Sequence, residues 1–122
     1  MQNLLFSADE PPVVFSRPSA TLALTRGVIR LFGELGFASL TEFSLPNGRR
    51  ADIAGLDRQG RIAIAEIKSC QADYDADSKW EDYLPFCDLY FFAVAEDFPR
   101  GILPEGEGLI VADGFGGAVT RE

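Results

Sequence analysis

A carboxylate interrupts the apolar run IAIAEI at residues 62–67, where Glu66 stands in a stretch otherwise fit for burial on both faces, and Lys68 follows two residues later. A charge taken out of water without a partner is expensive, so Glu66 requires one. Residues two apart on a strand point to the same face, which sets Lys68 beside it. The segment DRQGR at 57–61 supplies the third member. With Arg58, Gln59 and Gly60 as a three-residue hairpin loop and Gly60 in the left-handed bulge position, Asp57 faces Arg61, Leu56 faces Ile62 and Asp52 faces Glu66. Directly opposed side chains have Cβ atoms about 4.5–5.5 Å apart, so two carboxylates there repel unless a cation lies between them. Hard oxygen ligands suit Mg²⁺ or Mn²⁺, with waters and a phosphate oxygen completing the octahedron. Such an ion polarises a phosphodiester and acidifies a bound water, while Lys68 stabilises developing charge or orients the nucleophile. The chemistry implied is phosphodiester hydrolysis; the bland alternative is a cross-strand salt-bridge cluster, worth at most ~1 kcal/mol when exposed.

Composition narrows the choice. The chain has 122 residues, enough for one domain and one core without disulfides or structural zinc. It contains no histidine, which removes Ser-His-Asp and Cys-His catalysis and leaves acid-base or metal work to carboxylates and lysine. Cys70 and Cys87 are too few for a disulfide framework or a zinc tetrahedron and read as buried thiols. No apolar run is long enough to span a membrane, and the first residues lack the features of a secretory signal, so a cytoplasmic location is expected. The net charge of −8 opposes nonspecific coating of nucleic acid, but it is uneven: residues 17–61 carry +3 and residues 62–122 carry −9.

The elements that must hold the three residues follow from periodicity. Residues 1–18 read as an extended N-terminal arm and 19–122 as a single domain. Ser19 is the expected N-cap of a helix over 20–35 that ends at Gly36; Gly27 and Gly33 inside it each cost about 1 kcal/mol relative to Ala unless they permit a close approach. Strands are expected at 39–45, 50–56 and 62–67, the first two joined by the turn Pro46-Asn47-Gly48. A second helix is expected at 73–84, stopped by Pro85, then strands at 88–94, 108–112 and 117–120, the last two around the turn 113–117.

The segment RRADIAGLDRQGRIAIAEIKS, with Asp52, Glu66 and Lys68, resembles the PD-(D/E)xK nuclease superfamily. The longer run from LPNGRRAD through EIKSC and DSKWEDYLPFCDLYFFAV to GLIVADG resembles the MmcB-like family, linked to DNA repair in alphaproteobacteria, over about residues 17–120. The resemblance implies an α/β fold with a restriction endonuclease-like core, α-β-β-β-α-β, a mixed sheet and a C-terminal β appendix. It also implies that Asp52, Glu66 and the Ile67 carbonyl hold a divalent metal, Mg²⁺ or Mn²⁺, and that Lys68 is the catalytic lysine. Two positions depart from the pattern. Several superfamily nucleases carry a further Glu in the middle of helix one, where this chain reads Leu24-Thr25-Arg26, and Ala51 stands where the superfamily name has Pro.

Arg49 and Arg50 flank the strand that delivers Asp52 and are candidates to grip a phosphate backbone, as is Lys79; solvated turn residues are the alternative. Trp80 reads as core. Asp73, Asp75 and Asp77 resemble the start of an EF-hand but lack its Gly and its closing Glu, so they read as helix-capping charges that keep DNA to the arginine-bearing edge. The expected partner is DNA, bound weakly by this chain alone, with a protein partner for targeting. A catalytically inactive DNA- or protein-binding module on the same fold is the second reading.

Overall fold

Helix α1 spans Arg17–Glu34 in the computed structural model, which describes residues 17–70 and 80–121. It begins earlier than its apolar pattern announces. Pro18 falls in the first turn, where a missing N–H and a fixed φ cost nothing, so Ser19 lies inside the helix and is not its N-cap. The other end is as expected. Gly36 at φ +93° reverses the chain, its N–H donates to Gly33, and the Phe37 N–H donates to Phe32 at 2.8 Å, with the rings of Phe32 and Phe37 in contact.

Six strands follow: β1 (Ala38–Ser44), β2 (Arg50–Leu56), β3 (Ile62–Lys68), β4 (Leu89–Val94), β5 (Gly108–Ala112) and β6 (Gly117–Arg121). They form one sheet in chain order. The first three pair antiparallel, β3 with β4 and β4 with β5 pair parallel, and β5 with β6 pair antiparallel, which gives the expected mixed sheet with its C-terminal β appendix.

Each face of the sheet has its own core. Leu24, Val28, Leu31 and Phe32 of α1 cover Ile53, Ala65, Ile67, Ala93 and Ile110. On the other face Ile64, Tyr90, Phe92, Val94 and Leu109 pack with Tyr83 and Trp80. These two come from the segment expected as helix two. Over its described part that segment is a 3₁₀ helix, Trp80–Phe86, which contains Pro85; in an α-helix Pro85 would have no N–H to give Glu81 and would clash with that carbonyl. Residues 71–79, with the rest of the expected helix, lie outside the described residues. Trp80 packs on the Tyr90 and Phe92 rings as a half-buried residue.

Candidate metal centre

The turn between β2 and β3 sets the register. Gly60 has φ +81°, its N–H donates to the Asp57 carbonyl, and the Asp57 N–H donates to the Arg61 carbonyl, closing the three-residue loop. The Asp57 carboxylate accepts the N–H groups of Gln59 and Arg61 and pairs with the Arg61 guanidinium at 2.7 Å. Leu56 therefore faces Ile62, and the pairing continues to Ile53 opposite Ala65. One further step brings Asp52 to Glu66.

At Asp52 the regular pairing is interrupted. The β1 ladder passes from Thr41–Ile53 to Phe43–Ala51 across Glu42, which has a left-handed φ of 52°, and the β2–β3 ladder ends at Ile53. Ala51 and Ile53, two residues apart, even belong to different cores, so the alternation of faces fails between them. The bonds the ladders lack are made by the acids themselves. The Asp52 N–H donates to Glu66 Oε2 at 2.7 Å, and the Ile67 N–H donates to Asp52 Oδ2 at 2.8 Å. Each carboxylate is thus fixed by a backbone donor on the opposite strand.

This geometry fits a hard divalent cation. Glu66 and Lys68 are 4% and 6% exposed, and the cluster holds two acidic side chains to one basic one. Carboxylate oxygens have about four lone-pair positions and are the donors a hard divalent cation takes. The Ile67 N–H points towards β2, and in an extended residue the carbonyl points to the same side, which brings a third oxygen to the pair. Among the described residues no group of three His, Cys, Asp or Glu side chains gathers at one point. Two carboxylates and one carbonyl are a Mg²⁺-type donor set, completed by water, and not a closed structural site.

The arginines divide. Arg49 Nε bonds the Asp82 carboxylate at 3.0 Å, and Arg50 approaches Glu42 at 3.6 Å, both beside Asp52. Arg58 and Arg61 lie at the far end of β2, roughly 20 Å away along a seven-residue strand. Lys79 and the acids 73, 75 and 77 lie outside the described residues. Cys70 and Cys87 are free and half-buried rather than fully buried; burial, with Asp88 and Glu107 nearby, pushes the Cys87 thiol up to about 11.

Three residues that sequence reasoning did not single out as functional support the hairpin before Asp52. The Asn47 amide donates to the Asp82 carbonyl at 2.9 Å, the Asp82 carboxylate holds Arg49, and the Tyr83 hydroxyl donates to the Arg50 carbonyl at 3.2 Å. Their partners lie some 33 to 35 positions away in sequence, a separation that leaves no local signal.

Comparison with known proteins agrees with this architecture. The family model described as "DNA repair protein MmcB-like" matches residues 9–122. A solved structure of a protein of unknown function from Silicibacter pomeroyi is 44% identical, with a TM-score of 0.78 over 80% of this chain and 67% of that one. A repair endonuclease from Pyrococcus abyssi shares 17% identity at a TM-score of 0.39, over 73% of this chain and 40% of that one, a likeness too slight to bear on function. No curated protein matches the chain.

Proposed function

The chain belongs to the MmcB-like DNA repair protein family, and from that membership together with the site we propose that it is a metal-dependent nuclease acting on DNA in repair. The observation that carries this reading is the reciprocal pair of bonds from the Asp52 and Ile67 N–H groups to the Glu66 and Asp52 carboxylates, which holds two acids at the end of β3 beside a buried lysine. Asp52, Glu66 and the Ile67 carbonyl would hold Mg²⁺ or Mn²⁺. When bound, such an ion supplies positive charge to a phosphate and makes a water more acidic.

The chain's own residues supply the rest. The backbone donors keep the two carboxylates in place before any ligand arrives, so little reorganisation is needed. Lys68 stabilises charge building on a phosphate oxygen or orients the attacking water. Arg49 and Arg50 flank the site on the hairpin and provide the positive charge that guides a phosphate backbone, Arg49 by exchanging Asp82 for phosphate. Because residues 62–122 carry −9, DNA binding by this chain alone is weak and falls with salt, in keeping with a protein partner that targets it.

The test is Mn²⁺ binding by calorimetry beside cleavage of nicked, branched and single-stranded DNA. Wild type binds one Mn²⁺ and cuts at least one substrate, and Asp52→Asn or Glu66→Gln loses both. A folded wild type that binds Mn²⁺ and DNA but cuts nothing would leave the inactive-module reading in place of the nuclease.

A further inference from the structure

We propose that Tyr83 is a positioning residue for Asp52, an inference that deepens the metal-centre reading and rests on it for its functional meaning. The problem it solves is local. The ladder registers skip Asp52, which is tied to β3 through its own N–H and carboxylate, and a metal-binding carboxylate must be placed to within about 0.5 Å. The restraint comes from the 3₁₀ helix. Residues 47, 49 and 50, three of the five that precede Asp52, are bonded to Asp82 or Tyr83.

Tyr83 is itself rigidly set. It is 7% exposed, and its ring stacks on Tyr90 of β4 with centroids 6.1 Å apart and planes 23° apart. Strand β4 pairs parallel with β3, Tyr90 opposite Ile64 and Phe92 opposite Glu66. One strand therefore fixes both acids: Glu66 by direct pairing, and Asp52 through the Tyr90 ring, the Tyr83 hydroxyl and the Arg50 carbonyl. Beside the direct bonds between Asp52 and β3, the Tyr83 hydroxyl sets the backbone that leads into Asp52, and the ring alone cannot supply that tie.

Tyr83→Phe keeps the ring and removes the tie, whereas Trp80→Phe perturbs packing on the same Tyr90 and Phe92 rings and serves as the control. Two measurements on the 122-residue chain decide. In metal-free protein, hydrogen exchange of the Asp52 and Ile67 amides, both bonded to the acids, speeds up about fivefold or more in Tyr83→Phe and is unchanged in Trp80→Phe. Titration with Mn²⁺, followed by electron paramagnetic resonance, shows affinity about tenfold weaker in Tyr83→Phe and within about twofold of wild type in Trp80→Phe.

Unchanged exchange at both amides in Tyr83→Phe overturns the positioning role, as does equal weakening of both variants in step with lost thermal stability. A wild type that binds no Mn²⁺ refutes the metal centre, while the exchange rates still decide whether Tyr83 positions Asp52.

Discussion

The same substitution made twice in one helix should move stability in opposite directions. A Cβ built on Gly27 of α1 would lie 1.9 Å from the Asp113 carbonyl oxygen and 2.7 Å from that of Gly116, whereas one built on Gly33 meets nothing within 4 Å. Ordinary carbon-to-oxygen contact is about 3.3 Å, so Gly27→Ala requires a displacement of roughly 1.4 Å. Both obstacles are backbone of the β5–β6 turn, and no side chain can swing aside. That turn is built tightly. Asp113 Oδ1 accepts the N–H groups of Phe115 and Gly116, and the Asp113 N–H donates to the Gly116 carbonyl. Overpacking of this kind costs about 3 kcal/mol, against about 1 kcal/mol gained from alanine in a helix, for a net loss near 2 kcal/mol. In a domain of this size the melting temperature falls roughly 6–10 °C, and Gly33→Ala raises it by about 3–5 °C. Calorimetric melting measures both, and amide exchange at Phe115 and Gly116 reports whether the turn has lifted. Equal stabilisation by the two alanines would show that α1 does not sit on the turn at Gly27.

Further measurements probe the site and its surroundings. Saturating Mn²⁺, at about 100 times its Kd, should stabilise the wild type by ~2.7 kcal/mol in thermal melts and leave Asp52→Asn unmoved. Lys68→Met should retain Mn²⁺ binding yet lose at least about a hundredfold in cleavage rate, measured on the best DNA substrate. Although burial pushes Asp57 upwards, bonds from the Arg61 and Gln59 N–H groups and the Arg61 guanidinium bring it below its ordinary value. The stability it contributes is therefore present above the unfolded carboxylate pKa and lost as pH falls through the lower folded one. An acid titration of Asp57→Asn should lack that component. Cys87, raised to about 11, should react slowly with iodoacetamide at pH 8 and faster as pH approaches that value, read by mass spectrometry.

The amino-acid sequence by itself determined the features that depend on near neighbours. Counting across Arg58-Gln59-Gly60 gave the register that brings Asp52 to Glu66, because a glycine-bulged loop leaves no freedom in strand pairing. Alternating and apolar runs bounded by turn residues located the six described strands to within a residue or so, and Gly36 marked the end of α1. The start of α1 was less legible, since a proline reads equally as an arm residue or as the first turn of a helix.

Only the tertiary structure decided how Asp52 is held. The break of β2 between Ala51 and Ile53, the bonds from backbone N–H groups to the two acids, and the ties from Tyr83 and Asp82 join groups 14 to 35 positions apart. The seat of Gly27 on the turn at Asp113 spans a still longer separation. Hydrophobic period and turn chemistry are written in adjacent residues, whereas contacts of this kind arise once packed layers bring remote segments together, and no spacing in the chain encodes them.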